Sequence, residues 1–266
     1  MPTPQAVQAA VDELVAPAGM FTGVFSVGWY NQKRRDTAQS TQLIDAPDTA
    51  YGLVVASTPR FFDAICDYFV EAASKESDFV DSCVDHHLKR VLEACPPGTT
   101  WQNLDRPPYL HSQTLSHVAG IDVHVEPTEC FGDGEDQGAW MAELVEELKE
   151  ERDETMWGGA IDKVFGLNIH PRYGGWYSIR GLVVLPADVQ PSEPITQSEM
   201  KLDLAPEALR LIIREYNLRP DLSYWRDIPN QSPEDKYDPD AFLYFTERRP
   251  AMRRRFLELK VARRAK

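Results

Sequence analysis

Apolar residues recur at strand or helix spacing along most of the chain and predict alternating secondary-structure elements. Met20–Trp29 and Tyr51–Ala56 are apolar and aromatic runs that are typical of strands. Thr58 and Pro59 form a favourable helix start, a capping residue followed by proline in the first turn. An apolar stripe at helical spacing follows, made of Phe61, Phe62, Ile65, Phe69 and Ala72. The same criteria predict helices over 5–16, 78–94, 138–154, 205–217, 239–246 and 250–264, a shorter helix carrying Gln113 and His117, a short strand near 121–125, and loops over 96–109 and 131–138.

A second pair of strands is predicted on either side of the pentapeptide PRYGG. The runs 163–170 and 176–185 are rich in β-branched and aromatic residues, and Gly174-Gly175 suits a tight turn with positive φ. We therefore predict a β-hairpin here. Strands intermixed with helices predict an α+β fold, and residues 1–266 are expected to form a single domain with a basic helical segment at about 240–266.

The composition narrows the functional classes. With 28 Lys+Arg against 42 Asp+Glu, the formal net charge is −14, which argues against general nucleic-acid binding. No apolar run approaches the roughly 20 residues of a membrane span, and the N-terminus lacks the basic and apolar regions of a signal peptide. We therefore expect a cytoplasmic protein. The charge is uneven, because residues 241–266 carry a net charge of +7 and residues 126–154 hold twelve acidic side chains.

The cysteines and histidines form no catalytic or metal-binding motif. His86 and His87 are adjacent on a predicted helix, so their side chains point about 100° apart and do not chelate one ion from one face. The sequence contains no HExxH, no phosphate-binding glycine loop and no GxSxG. The cysteines lack CxxC spacing, fit a reducing compartment and are expected to be small buried side chains: Cys66, Cys83, Cys95 and Cys130.

Arg180 is the most informative single residue, because it interrupts an otherwise apolar and aromatic predicted strand. A guanidinium there needs either an internal carboxylate or an anionic ligand, and both interpretations stay open. Arg226 and Arg253 also lie in aromatic-flanked basic segments, so three arginines are available to bind a ligand with two carboxylates. The tetrapeptide from His117 to Gly120 has the form HxxG, a weak pattern that is also typical of a helix-terminal glycine.

Seven segments together resemble the CblC-type cobalamin-processing proteins, the methylmalonic aciduria and homocystinuria type C family. They occur in the family order, and the similarity extends from about residue 5 to 257. The most specific is the 18-residue block IHPRYGGWYSIRGLVVLP at 169–186. The other six are VGWYN at 27–31, STPRFFDA at 57–64, DSCVDHHLKRV at 81–91, SQTLSHVAG at 112–120, SYWRD at 223–227 and SPEDKY at 232–237.

This resemblance implies a fold like that of flavin-dependent nitroreductases, an antiparallel sheet flanked by helices with an additional hairpin or cap region. It implies that cobalamin binds with its lower base displaced and loses its upper axial ligand. Alkyl groups would pass to the thiolate of glutathione, and cyanide would leave reductively with electrons from reduced FMN or FAD. The protein would then need no nucleophile or protein-bound metal of its own, since cobalt is held in the corrin and glutathione supplies the thiolate.

The resemblance also assigns site residues. The glutathione-binding arginines of the family match Arg180, Arg226 and Arg253, although a one-residue insertion also allows Arg249 or Arg254 in place of the last. His117 and Gly120 match the HxxG of the family, and His117 is treated as a positional marker. The family often has aromatic residues where this chain has His124 and Val125. The cobalamin-binding set is Leu110, His111, Ser112, Gln113, His117, Gly120, His124, Val125, Glu126, Asn168 and Ile179.

Two other functions remain as alternatives: a flavin-dependent oxidoreductase of the nitroreductase type, and a non-catalytic cobalamin carrier or chaperone. The three arginines favour the glutathione-dependent enzyme, because neither alternative requires a site for a thiol with two carboxylates. The resemblance further implies a downstream trafficking partner of the CblD type and a ligand-induced homodimer. No nucleic-acid or membrane partner is expected.

Overall fold

The computed structural model of the protein describes residues 2–37, 42–72, 79–131, 136–151, 162–196, 200–219, 224–227, 236–247 and 249–264. Its helices are α1 (Pro4–Val15), α2 (Val27–Asp36), α3 (Phe61–Ala72), α4 (Phe79–Ala94), α5 (Ser112–Val118), α6 (Gln137–Glu151), α7 (Pro206–Leu218), α8 (Pro239–Thr246) and α9 (Pro250–Arg264). Its strands are β1 (Met20–Ser26), β2 (Tyr51–Ser57), β3 (Thr100–Asn103), β4 (Val123–Val125), β5 (Leu167–Ile169) and β6 (Ser178–Val184). Parts of the predicted helices and loops and of the family segments lie outside the described residues, namely 78, 132–135, 152–154, 223 and 232–235.

These elements form two compact units. Unit 1 consists of Met1–Ile121, Trp176–Glu199 and Ser232–Lys266, and unit 2 consists of Asp122–Gly175 and Met200–Gln231. The expectation that residues 1–266 fold as a single domain stays a prediction.

Unit 1 is built on a four-stranded antiparallel sheet in the order β1-β2-β6-β3. Successive residues of a strand point to opposite faces, and β2 shows this division clearly. Leu53 and Val55 join a core with the apolar faces of α1, α3, α4, α8 and α9. Val54 and Ala56 join a second core with α2 and α5. The sheet is therefore covered by helices on both faces, which confirms the predicted α+β class and its helix-flanked antiparallel sheet.

Unit 2 has its own core and a two-stranded antiparallel sheet of β4 and β5. Helices α6 and α7 bury Leu144, Leu148 and Ile213 in that core. Arg214 of α7 forms a two-pronged ion pair with Glu147 of α6, at 2.8 and 2.9 Å. This contact fixes the two helices against each other beside the apolar layer.

Two predicted boundaries are wrong. The strand predicted over Met20–Trp29 ends at Ser26, because α2 begins at Val27 and buries Val27, Tyr30, Asn31 and Arg34 at helical spacing. The segment 96–109, predicted as a loop, contains β3, which pairs with β6 from Thr100↔Val184 to Asn103↔Gly181. Its sequence TWQN has no apolar alternation, so the signal is missing from the sequence, and the strand is held by pairing with β6 and by Trp101, which packs against the core.

The predicted hairpin of 163–170 with 176–185 is also wrong. Locally the turn forms, since His170 and Gly174 exchange backbone hydrogen bonds of 2.9 and 2.8 Å. Beyond it the strands take different partners: β5 pairs with β4, and β6 pairs with β2 and β3. Trp176 is the physical reason, because its indole is buried against Tyr237 and Phe242 in unit 1 and directs the chain into that unit's sheet.

Candidate functional site

Arg180 lies at an irregularity of the central sheet in unit 1. Strand β2 pairs Val55 with Gly181 but Ala56 with Ile179, so Arg180 is the extra residue of a β-bulge. Bulges redirect side chains and are frequent beside functional sites. The bulge therefore gives a structural reason why a charged residue is tolerated on an apolar strand.

The surroundings of Arg180 are polar on one side and aromatic on the other. Its Nε donates to Oγ of Ser57 at 2.9 Å, and its guanidinium lies 5.3 Å from the ring of Phe61 and 5.7 Å from that of Phe245. The nearest carboxylate in the described part of the chain is that of Asp105, 4.0 Å from Nη1 and 47% exposed, whereas the Arg180 side chain is 9% exposed. The internal ion pair thus exists only at long range, and the buried guanidinium retains the capacity to bind an anion.

The three arginines of the C-terminal segment that could match the third glutathione-binding arginine of the family, Arg249, Arg253 and Arg254, differ in their partners. Arg249 forms a two-pronged ion pair with Glu247, at 2.9 and 2.7 Å. Arg254 lies 3.5 Å from the carboxylate of Glu258. Arg253 instead donates its Nε to the backbone carbonyl of Glu247 at 2.5 Å and lies 5.9 Å from the ring of Tyr244. Within the described residues Arg253 has no carboxylate within ion-pair distance, which favours it over its two neighbours as an anion-binding residue.

Arg226 belongs to unit 2 and closes a tight contact with Gly175. Its Nη1 donates to the Gly175 carbonyl at 2.6 Å, and the Gly175 amide donates to the Arg226 carbonyl at 3.0 Å. The guanidinium lies 4.3 Å from the ring of Trp225. A Cβ on Gly175 would collide with that indole. Glycine is therefore required at 175 for this close approach rather than for the hairpin that was predicted.

The segment 110–120 forms α5 and its two caps. His111 is the N-cap, and its Nδ1 accepts a hydrogen bond from the amide of Thr114 at 3.2 Å. At the other end Gly120 has φ +62°, and its amide donates to the His117 carbonyl at 3.0 Å. The HxxG glycine is thus a helix terminator with left-handed backbone, as the alternative interpretation predicted. The side chains of Leu110, His111, Ser112, Gln113 and His117 are all partly accessible.

Tyr30 positions this segment, and sequence reasoning did not identify it as a site residue. Its hydroxyl accepts from the His111 amide at 3.1 Å and donates to the Gln42 carbonyl at 2.8 Å. Burial is the main cause that raises the pKa of the Tyr30 phenol, so the hydroxyl keeps its proton. Tyr30 lies in the VGWYN segment of the family. Most of this segment was predicted to be part of a strand, and its helical structure is what places the Tyr30 hydroxyl beside the backbone of His111.

The remaining predicted cobalamin residues lie on strands. Ile179 is half-buried on β6 in unit 1. In unit 2, β4 pairs His124 with Asn168 of β5, and the two side chains contact each other at 2.6 Å. Glu126 is exposed, whereas Val125 is buried in the core of unit 2. Val125 is therefore a packing residue, and only its backbone is available to a ligand.

All four cysteines are free, and the surroundings of each disfavour the thiolate. Burial raises the pKa of Cys83 to about 12 and that of each of the other three to about 11. Protonated thiols are poor nucleophiles. The cysteines of the chain are therefore poorly suited to act as nucleophiles themselves.

The histidine pair on α4 has a structural environment. The ring of His87 lies 6.4 Å from Phe61, and that of His86 lies 5.5 Å from Tyr68. Burial is the main cause that lowers the pKa of His87 to about 4, which keeps that imidazole neutral. Across the described ranges, no group of three or more His, Cys, Asp or Glu side chains is arranged to hold a metal ion.

None of the described helices is long and apolar enough to span a bilayer. The fold and the site define an α+β protein that offers arginines beside aromatic rings for an anionic ligand and keeps its own thiols protonated.

Comparisons with known proteins identify the family. The sequence profile of the Methylmalonic aciduria and homocystinuria type C family matches residues 19–257. A Gallus gallus protein named cyanocobalamin reductase / alkylcobalamin dealkylase is 32% identical over 92% of this chain and 93% of its own length. The Homo sapiens protein of the same name is 26% identical over 89% of this chain and 76% of its own length. The chain belongs to the Methylmalonic aciduria and homocystinuria type C family.

A solved structure agrees with this assignment at the level of the fold. The crystal structure of a Caenorhabditis elegans B12-trafficking protein, CblC, superposes with a TM-score of 0.71 at 21% identity. The superposition covers 95% of this chain and 94% of that chain. The two proteins therefore share their fold over nearly their whole lengths.

Proposed function

We propose that this protein binds cobalamin with the lower base displaced and removes its upper axial ligand, as a cyanocobalamin reductase and alkylcobalamin dealkylase. The observations that carry the proposal are the match of residues 19–257 to this family and the relatives of that name, which are 26–32% identical over most of the chain. The protonation of all four cysteines supports an external thiol as the alkyl acceptor.

In the dealkylation step, the thiol of glutathione first loses its proton to solvent, and the thiolate sulfur attacks the alkyl carbon bound to cobalt. A carbon–sulfur bond forms, the cobalt–carbon bond breaks, and its electron pair stays on cobalt, which leaves Co(I) cobalamin and an S-alkyl glutathione. The protein contributes proximity and orientation, which are worth several kcal/mol in well-aligned reactions. Arg180, Arg226 and Arg253 are the residues proposed to bind the two carboxylates of glutathione, and their positive charge favours its thiolate.

In the decyanation step, one electron reduces cobalt from Co(III) to Co(II), and cyanide departs with the electron pair of its bond. Reduced FMN or FAD is the proposed electron source. Among the described residues we assign none to a flavin, so the flavin enters this proposal only as a reductant. The proposed partners are a trafficking protein of the CblD type and a second copy of the chain after ligand binding.

The decisive experiment is a titration of the protein with methylcobalamin, followed by its visible spectrum with and without glutathione. We expect a shift to the base-off spectrum on binding alone, and loss of the alkylcobalamin spectrum after glutathione is added. Base-off binding without any thiol-dependent change would identify a carrier instead. An unchanged spectrum throughout would contradict cobalamin processing and favour the flavin-dependent oxidoreductase.

A further inference from the structure

Four polar side chains of unit 2 form a continuous hydrogen-bonded chain, which we call the His124 network: Asp122, Asn168, His124 and Glu126. Asn168 donates its Nδ2 to Oδ1 of Asp122 at 2.6 Å, and its Oδ1 lies 2.6 Å from Nδ1 of His124. Nε2 of His124 lies 2.9 Å from Oε1 of Glu126. Asp122 is 1% exposed and Asn168 is 8% exposed, so the network extends from a buried carboxylate to an accessible imidazole and an exposed carboxylate.

The buried end of the network fixes the hydrogens of His124. Because Asn168 donates its amide nitrogen to Asp122, its carbonyl oxygen is directed at His124 and can only accept. Nδ1 of His124 must then carry a hydrogen. With its hydrogen on Nδ1, the neutral ring presents Nε2 as an acceptor at its other edge, where Oε1 of Glu126 lies 2.9 Å away.

The backbone around the ring fixes its position as well. A Cβ on Gly166 would lie 3.1 Å from Cε1 of His124, 3.1 Å from Oε2 of Glu126 and 2.8 Å from the Val125 carbonyl oxygen. Glycine at 166 is therefore what allows the chain to pass this close to the imidazole. The side chain of His124 is nevertheless 23% exposed, and its Nε2 contacts Glu126, whose side chain is 54% exposed and can be displaced by a ligand.

We propose that Asp122 and Asn168 are positioning residues, which keep the hydrogen of His124 on Nδ1 and so hold Nε2 as a fixed hydrogen-bond acceptor for an N–H of the amide side chains at the edge of a bound corrin. On binding, Nε2 of His124 exchanges the exposed Glu126 carboxyl group for that N–H. This inference rests on the proposed function, since it assigns a specific contact within cobalamin binding. One imidazole thus accounts for the roles of three further side chains, those of Asp122, Asn168 and Glu126.

The first test reads the hydrogens of His124 directly, without cobalamin. In a long-range ¹H–¹⁵N correlation spectrum, His124 is assigned by the signals that are lost in His124→Gln. We expect a protonated Nδ1 in the parent protein and a loss of that preference in Asn168→Ala, which removes the acceptor. A parent ring without a hydrogen on Nδ1 would overturn the proposal. A purely structural role for Asn168 would lower the thermal midpoint without changing the tautomer.

The second test measures cobalamin affinity in His124→Phe and His124→Gln, which keep the bond from Asn168 to Asp122. The phenylalanine variant has no acceptor and should bind methylcobalamin about tenfold more weakly, whereas the side-chain oxygen of glutamine restores an acceptor and should recover most of that loss. Glu150→Gln, on the exposed face of α6, is the matched control and should bind like the parent. Equal affinities of the parent and His124→Phe would refute the inference, whereas absence of cobalamin binding in the parent would refute the proposed function itself.

Discussion

Arg180 keeps its charge inside unit 1 because a hydroxyl and two aromatic rings replace part of the water that a guanidinium would otherwise hold. In Arg180→Gln we expect the KM for glutathione to rise about 10- to 100-fold, the equivalent of about 1.5–3 kcal/mol for one charged hydrogen-bonded contact. The affinity for methylcobalamin should stay the same, because the predicted role of Arg180 concerns the thiol alone. Initial rates at varied glutathione, together with a separate cobalamin titration, measure the two effects.

Arg253→Gln and Arg249→Gln form the control for this prediction. Arg253 has no carboxylate partner within the described residues, whereas Arg249 is committed to Glu247. We therefore expect the Arg253 variant to raise the KM for glutathione and the Arg249 variant to leave it unchanged. A normal glutathione dependence in a folded Arg180→Gln protein would contradict the assignment. Failure of that variant to fold would instead show that the long ion pair with Asp105 is structural, and Arg180→Lys would then separate charge from geometry.

The four thiols give a prediction with a defined pH dependence. Their pKa values are raised to about 11 or 12, so the thiolate fraction at pH 7.5 is about a hundredfold or more below that of a free cysteine, whose pKa is about 8.5. Iodoacetamide should therefore alkylate the folded protein slowly, and the rate should rise about tenfold per pH unit from 7 to 9 as deprotonation increases. Mass spectrometry of timed samples measures it, with N-acetylcysteine and guanidinium-unfolded protein as controls. Rapid alkylation of any folded cysteine at pH 7 would show that its environment is not the one described.

At the scale of elements, Gly175 packs closely against the 3₁₀ turn Tyr224–Arg226, so that adding a single Cβ at this position should lower the stability of unit 2. Gly175→Ala should destabilise unit 2 by about 1–3 kcal/mol, because the new methyl group overlaps the Trp225 indole and displaces Arg226. Urea unfolding, monitored by tryptophan fluorescence, measures the change.

Gly138→Ala is the matched control for this substitution. Gly138 lies in the first turn of α6, and the nearest atom to the position that its new methyl group would take is a flexible carboxylate oxygen of Asp136 at 3.3 Å. Alanine there should be neutral or should stabilise the helix, since alanine has the higher helix propensity by about 1 kcal/mol. Equal effects of the two substitutions would show that the close approach at Gly175 contributes nothing to stability.

The sequence predicts elements well where burial is periodic. The stripe from Phe61 to Phe69 and the strand at Tyr51 appear where they were expected, and so do the helices that end the chain. The prediction fails where long-range pairing determines the structure. Strand β3 forms where its backbone pairs with the edge of β6 and Trp101 packs against the core, and the apparent hairpin opens because the aromatic partners of Trp176 lie about 60 positions further along the sequence.

The candidate site shows the same division. Arg180 was identified because a charge interrupts an apolar run, but its bulge and its contact with Ser57 depend on residues more than 120 positions away. Asp122 was not identified at all. The alternation of Asp122, His124 and Glu126 along an extended segment was the available signal, and it became meaningful only when β5 placed Asn168 opposite His124.

For the whole molecule, the net charge of −14 does not show that basic side chains of unit 1 form ion pairs with acidic side chains of the same unit. Three cations near the end of α9 are paired with carboxylates of α3 and of the N-terminal end of α8: Lys260, Arg263 and Arg264. Lys260 contacts Asp238 and Asp240 at 3.1 and 3.0 Å, and Arg264 bridges Asp63 and Asp67. These pairs lie at the surface and individually stabilise the protein little. Their effect is to orient α9, and with it Arg253, rather than to create a free basic surface.

Hydrogen exchange tests the predicted cobalamin residues across the whole molecule, since each unit carries part of the set. Methylcobalamin should slow amide exchange at 110–113 in unit 1 and at 124–126 and 167–169 in unit 2. Ligand binding also slows the exchange of every amide that exchanges through global unfolding. The factor is set by the ligand concentration and the Kd. The buried amides of α4, which carry no predicted contact, report that general factor, and only protection beyond it marks a local contact. Protection confined to 110–113 would remove His124, Glu126 and Asn168 from the cobalamin set and, with them, the role proposed for the His124 network.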